Sequence, residues 1–109
     1  MTDNDKTLDL ITSVLQKNLP AEAKVILFGS QARGDANEES DWDILILLDK
    51  QKITNEDFYE FASPLVELGW SIDKTISPIM YTFDDWQKRH FTPFYKNVAK
   101  EGIKIYGSD

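Results

Sequence analysis

The stretch Val25-Ile26-Leu27-Phe28-Gly29-Ser30-Gln31-Ala32-Arg33-Gly34, continued through Ser40-Asp41-Trp42-Asp43-Ile44-Leu45-Ile46-Leu47-Leu48-Asp49, decides the fold. Two apolar runs, Val25 to Phe28 and Ile44 to Leu48, flank a polar loop that breaks at Gly29-Ser30 and carries Arg33, Gly34 and Glu38-Glu39. Short apolar runs bounded by polar breaks read as buried strands, and the second, apolar throughout, reads as central in its sheet. Side chains alternate along a strand, so Asp41 and Asp43 share one face while Trp42 points the other way, into the core. Two neighbouring carboxylates repel each other, an arrangement tolerated when a cation sits between them or one takes a proton. Mg²⁺ suits such a pair, because it takes oxygen ligands and is held by one or two carboxylates together with substrate phosphates. On the facing strand end, Gly29 permits a backbone geometry and a closeness of approach closed to other residues. Ser30 opens a short helix, Ser30 to Arg33, whose first N–H groups would face an anion. Together these groups suit a nucleoside triphosphate with its Mg²⁺.

The order Gly29-Ser30, Ala32-Arg33-Gly34, Ser40-Asp41-Trp42-Asp43-Ile44 resembles the signature of the minimal nucleotidyltransferases of the polymerase-beta superfamily. That pattern runs Gly-Ser, Ala-Arg-Gly, then Ser-Asp-x-Asp before an aliphatic residue, and the chain matches it in order and spacing. The resemblance implies the nucleotidyltransferase fold, an α/β (α+β) domain with a short mixed sheet. It implies transfer of a nucleoside monophosphate, AMP from ATP, to an acceptor hydroxyl with release of pyrophosphate. Asp41 and Asp43 would be the catalytic pair and hold Mg²⁺. Gly29, Ser30, Arg33 and Ser40 would bind the nucleotide, with Arg33 read equally as a phosphate contact or as a brace to a nearby acid. A common setting for such domains is as antitoxin-like partners of HEPN-domain ribonuclease toxins, which they adenylylate. The alternative is a catalytically weak protein of the same fold that regulates by binding a partner.

One feature departs from the pattern. Active members add a third carboxylate on a later strand, as ligand and general base. That strand reads Ile72-Asp73-Lys74-Thr75-Ile76-Ser77-Pro78-Ile79-Met80, and the family's acid falls at Ser77. With a strand from Asp73 to Tyr81, Asp73 shares the face of Ser77 but lies about 13 Å earlier at about 3.3 Å per residue. Either Asp73 substitutes or the site has two carboxylates and reduced chemistry.

Outward from the motif, the remaining chain reads as one domain spanning residues 1–109. Leu8, Ile11, Val14 or Leu15, and Leu19 recur at helical spacing from Asp5 to Asn18, and Pro20 ends that helix. Thr54 with Asp57 resembles a capping box opening a second helix, with Phe58, Phe61, Leu65 and Leu68 as its buried stripe, Pro64 as a kink or break and Gly69 as its stop. Pro78 puts the third strand at an edge or a bulge. Thr82 with Asp85 and Thr92 with Pro93 cap two further helices, the last ending at Gly102 before a short terminal strand or an extended tail from Ile103 to Tyr106. The helices are expected on one side of the sheet. Trp86, Phe91, Phe94 and Tyr95 read as core, His90 as a surface residue near a helix end, and Glu38-Glu39 as a solvated loop face.

The formal net charge of −7 argues against direct nucleic-acid binding, which needs a basic footprint. It does not argue against a nucleotide, since a metal supplies local positive charge. Absence of cysteine excludes disulfides and thiol chemistry. No apolar run spans a bilayer and no signal pattern opens the chain, so a cytoplasmic location is expected.

Overall fold

The computed structural model describes residues 3–37 and 39–107, so the reading of Glu38 lies outside the described residues, while Glu39 is exposed. In chain order the elements are α1 (Asp3–Asn18), β1 (Lys24–Phe28), α2 (Ser30–Arg33), β2 (Trp42–Leu48), α3 (Asn55–Asp57), a π-helical turn (Phe58–Ala62), α4 (Ser63–Ser71), β3 (Ile76–Thr82), α5 (Phe83–Lys88), α6 (Pro93–Glu101) and β4 (Ile103–Tyr106). The strands form one mixed sheet in the order β3-β2-β1-β4. β1 pairs antiparallel with β2 and β4, and β2 pairs parallel with β3. β2 is therefore interior, as its apolar run requires.

Alternation along β2 divides the core in two. Trp42, Ile44, Ile46 and Leu48 pack with Ile11 and Leu15 of α1 and Leu65 of α4. Leu45 and Leu47 pack on the opposite face with Trp86 of α5 and Val98 of α6. Helices thus cover both faces, not one as expected, because a strand apolar on both sides must be shielded from water on both. The aromatic cluster on the second face has Trp86 against Tyr81, Phe94 and Tyr95 at centroid distances of 5.5, 5.5 and 4.8 Å. Phe91 is not part of it. It stands exposed in the loop between α5 and α6, edge-on to the exposed His90.

The span from Asn55 to Ser71 departs furthest from a simple amphipathic helix. Its start is as expected: Thr54 Oγ1 accepts from Asp57 N–H, and Asp57 Oδ2 accepts from Thr54 N–H at 2.9 Å. Pro64 then removes one N–H, and its ring would collide with the carbonyl one helical turn earlier. The π-helical turn, in which Ser63 N–H donates to Phe58 O, inserts an extra residue into that turn. The insertion rotates Phe58 out of the expected stripe: Phe61 and Leu65 are buried, while Phe58 is 43% exposed. Gly69 does not stop the helix, which runs on to Ser71. It is buried where a Cβ would lie 2.7 Å from Lys74 O, so it serves close packing.

β3 begins at Ile76 rather than Asp73, because Asp73 adopts φ 57 in the preceding turn. Pro78 sits on this edge strand with its pairing to β2 unbroken, so the edge reading holds and no bulge forms. Both later caps form, with Thr82 accepting from Asp85 N–H and Thr92 from Tyr95 N–H.

Candidate active site

The sheet register places Phe28, the last residue of β1, directly across from Asp43 of β2. The chain must leave β1 beside that carboxylate. Gly29 does so at φ 76, ψ −158, a backbone region that side chains disfavour. A Cβ on Gly29 would run into Asp43 Oδ2 and lie 3.2 Å from Cγ, so only glycine lets the backbone rest against this carboxylate. The single turn of α2 follows. Gly29 O accepts from Ala32 and Arg33 N–H at 3.1 and 3.0 Å, and Gly34, left-handed at φ 84, closes the turn through its N–H to Ser30 O.

At the start of β2, Trp42 N–H donates to Thr75 O at 2.9 Å and the Trp42 ring is buried in the core. Asp41 precedes the strand and is exposed, whereas Asp43 is half-buried. Burial pushes the Asp43 carboxyl above its usual range, the negative charge of Asp41 pushes it the same way, and the positive charge of Arg33 opposes both. A carboxylate held this way gains from any cation or proton that neutralises it. Asp41 and Asp43 offer hard oxygen donors that could hold a Mg²⁺ whose remaining positions go to phosphate and water.

Arg33 and Ser40 occupy bracing positions around this centre. Arg33 Nε pairs with Asp35 at 3.2 Å and a terminal guanidinium nitrogen with Glu101 at 3.1 Å, tying α2 to the end of α6. Hydrogen bonding to Asp35 leads the interactions that hold this guanidinium above its ordinary pKa. Ser40 Oγ accepts from Asn37 N–H at 2.9 Å, and Ser40 O accepts from the Gln31 side chain at 3.3 Å. The six residues singled out in the sequence thus fall into a centre of Gly29, Ser30, Asp41 and Asp43 and a surround of Arg33 and Ser40. Gln31 and Glu101 complete that surround. Gln31 lay inside the motif without a chemical signal, and Glu101, 68 residues from its partner, had no local signal at all.

The position beside Asp43 on the neighbouring strand is Ser77, its partner in the parallel β2–β3 ladder. Asp73 does not share a strand face with Ser77, contrary to expectation, because the left-handed turn at Asp73 precedes β3. It lines a cavity of about 420 Å³ with Glu39, Ser40, Lys74 and Thr75. Among the described residues, no group of three or more His, Cys, Asp or Glu side chains is placed to hold a metal ion.

The family model "Polymerase beta, Nucleotidyltransferase" matches residues 9–109. A Methanocaldococcus jannaschii protein named "Putative protein adenylyltransferase" is 36% identical over 95 residues, covering 87% of each chain. In a crystal structure of a toxin–antitoxin with AMP-PNP, one chain is similar at TM-score 0.63 and 22% identity, over 99% of this chain and 76% of that one. A chain of the tri-AMPylated Shewanella oneidensis HEPN toxin in complex with MNT antitoxin is similar at TM-score 0.60 and 20% identity, over 96% and 73%. The two structural likenesses establish the fold. The match over nearly the whole chain, together with the archaeal relative, establishes the lineage: this chain belongs to the polymerase beta nucleotidyltransferase family.

Proposed function

We propose that this protein transfers AMP from ATP to a hydroxyl group of a partner protein, a HEPN-type toxin, with Mg²⁺ held at Asp41 and Asp43. The observation that carries the reading is the Gly29 backbone laid against Asp43, with the charge of Asp41 beside it. In the reaction the acceptor oxygen bonds to the α-phosphorus of ATP, the bond from that phosphorus to the β-phosphate bridge breaks, and pyrophosphate leaves. Bound Mg²⁺ supplies charge neutralisation at the transferring phosphoryl group. Gly29 and Ser30 present backbone N–H groups at the start of α2 to the triphosphate. Gln31 and Ser40 keep the loop before β2 in register with that turn. Arg33 contributes positive charge near Asp43 and exchanges an acidic partner for phosphate oxygen when nucleotide binds. The acceptor proton leaves to solvent, since Ser77 offers no carboxylate beside Asp43.

The partner in this reading comes from the relatives: an adenylyltransferase by name among them, and HEPN toxin complexes among the structural neighbours. No helix among the described residues is long and apolar enough to cross a membrane, and a cytoplasmic setting, where ATP is abundant, accompanies the reading. The test is incubation of the protein and a HEPN partner with ATP labelled at the α- or the γ-phosphate, with Mg²⁺ or with EDTA. Transfer of α-label alone, dependent on Mg²⁺ and lost in Asp41→Asn and Asp43→Asn, is expected. Transfer of γ-label, or α-transfer that survives both substitutions, would overturn it.

A further inference from the structure

The helical span from Asn55 to Ser71 presents aromatic side chains to solvent where its own geometry could have hidden one of them. In an unbroken α-helix Phe58 would stand in line with Ala62 and Leu65, both fully buried. The π-helical turn moves it into line with Ser63 instead. Phe58, Ser63, Val66, Glu67 and Trp70 then line a shallow groove of about 180 Å³ on the outer face. Trp70 is 75% and Tyr59 73% exposed, and Tyr59 meets Phe58 edge-on at 6.3 Å. Single exposed apolar residues are ordinary, but three aromatics along one helical face mark an interaction surface. Turns of π-helix are themselves rare and concentrate at functional sites.

The charge around this face selects the occupant. Residues 55–71 include Glu56, Asp57, Glu60 and Glu67 and not one Lys, Arg or His. Asp57 is buried and taken by Lys50, whose Nζ donates to both carboxylate oxygens at 2.7 and 2.8 Å. Glu56, Glu60 and Glu67 are exposed and form no ion pair among the described residues. A second copy of this chain would set this acidic span against its like, and an anionic membrane would be repelled.

We propose that the outer face of α3, the π-turn and α4 docks a partner protein through an amphipathic helix whose apolar anchors are flanked by lysine or arginine. Such a helix fills the groove with its anchors and sets its basic rim against Glu67, the acid that lines the groove, on a span whose other exposed charges, Glu56 and Glu60, are also acidic. The end of α4 is tied by backbone hydrogen bonds to the start of the site: Lys74 N–H donates to Gly69 O, and the next residue, Thr75, receives Trp42 N–H beside Asp41. The suggestion that the docked partner is the acceptor of AMP rests on the function proposed above; the docking itself does not.

The test uses short helical peptides with leucine and phenylalanine anchors and a Lys/Arg rim, a Glu/Asp rim, or scrambled anchors. They are titrated into the full chain in EDTA without nucleotide and followed by amide and indole NMR shifts. Basic-rim peptides are expected to shift amides of residues 56–71 and the Trp70 indole, with affinity falling as salt rises. Trp70→Ala and Tyr59→Ala should each weaken binding about tenfold or more, without loss of thermal stability, since both side chains are exposed. Glu67→Lys, which reverses the charge of the acid lining the groove, should weaken basic-rim peptides and favour acidic-rim ones. The proposal is overturned if no basic-rim peptide binds, if acidic-rim peptides bind wild type equally, or if the shifts map elsewhere. Self-association abolished by Trp70→Lys, or Trp70-dependent binding to zwitterionic vesicles, would assign the face to a second copy or a lipid surface and overturn it too. Repeating the titration with Asp41→Asn and Asp43→Asn separates the readings: docking survives if transfer fails, and transfer of label can stand if docking fails.

Discussion

Gly29→Ala probes the contact on which the active-site reading rests. Two costs add. At φ 76, ψ −158 the backbone region is closed to side chains, at about 1–3 kcal/mol. The new methyl also runs into Asp43 Oδ2, so the carboxylate must leave its rotamer, at about 0.5–1.5 kcal/mol. Together they come to about 1.5–4.5 kcal/mol. At about 4 °C or more per kcal/mol for a domain of this size, Tm should fall by roughly 6 °C or more.

Gly34→Ala is the internal control. Gly34 is also left-handed, at φ 84, but a Cβ there meets nothing within 4 Å, so only a backbone cost of about 1–2 kcal/mol applies. The collision can be isolated by placing Gly29→Ala in an Asp43→Ala background. There the carboxylate is gone and the contact with residue 43 is its Cβ at 3.5 Å, an ordinary distance, so the backbone cost remains and about 1 kcal/mol of collision disappears. The assay is urea denaturation of the four proteins of the cycle plus Gly34→Ala. The reasoning fails if Gly29→Ala costs no more than Gly34→Ala, or costs the same in both Asp43 backgrounds.

Other outcomes are expected. Between the ordinary carboxylate pKa and the raised value of Asp43, the folded state holds more proton than the unfolded chain, so this group's contribution to stability falls as pH rises through that window. Asp43→Asn should therefore equal or exceed wild type in Tm at neutral pH in EDTA while abolishing calorimetrically detected ATP–Mg²⁺ binding; a large drop in Tm would make Asp43 structural. Asp57 shows the reverse sign: burial raises its pKa, but the hydrogen bonds from Lys50 and Thr54 outweigh it and hold the carboxyl low, so its stabilisation is present above the ordinary carboxylate pKa and is lost as pH falls through the lowered value. Asp57→Ala should cost about 2 kcal/mol through the lost cap and hydrogen bonds, with the difference from wild type shrinking in acid, as read by denaturant titration at neutral and acidic pH. Ser77→Asp should raise the rate of α-label transfer by adding a carboxylate beside Asp43, whereas Asp73→Asn should leave it unchanged; the opposite pair of results would restore Asp73 to the site.

What could be read from the sequence was what local chemistry determines. β1 ends at Phe28 and α2 spans Ser30–Arg33 as the sequence places them, because Gly29 and Gly34 interrupt the chain at those residues. The caps at Thr54, Thr82 and Thr92 are equally local, each a side chain bonding an N–H three residues on. The errors arise where distant parts meet. Pro64 signals a disturbance but not its form, and only the π-turn decides that Phe58 leaves the core. β3 starts late because Asp73 turns left-handed after α4 ends against Lys74, an arrangement set by helix–strand packing. Helices on both faces follow from an interior strand apolar on both sides, which the run Ile44 to Leu48 itself carries. In the site, Gly29 and Asp43 could be paired from the motif, but the Arg33–Glu101 tie could not, since it joins residues 68 positions apart in the chain.

The charges around the site make metal and nucleotide depend on each other. Asp41 is exposed, Asp43 beside it is half-buried, and Arg33, the cation whose field reaches Asp43, is already held by Asp35 and Glu101. A triphosphate arriving alone would meet this field unfavourably, while a cation arriving alone would find two carboxylates and too few ligands. Each becomes favourable with the other, so under the proposed reading their affinities must rise together by the same factor, as linkage requires. The serine at position 77 then acquires a physical meaning. A third acid beside Asp43 would raise its proton affinity further and strengthen the repulsion that one divalent ion must offset. Under the proposed reading, with Ser77 there, one Mg²⁺ would balance Asp41 and Asp43, and the site would keep its nucleotide-binding electrostatics without a third carboxylate to speed attack by the acceptor.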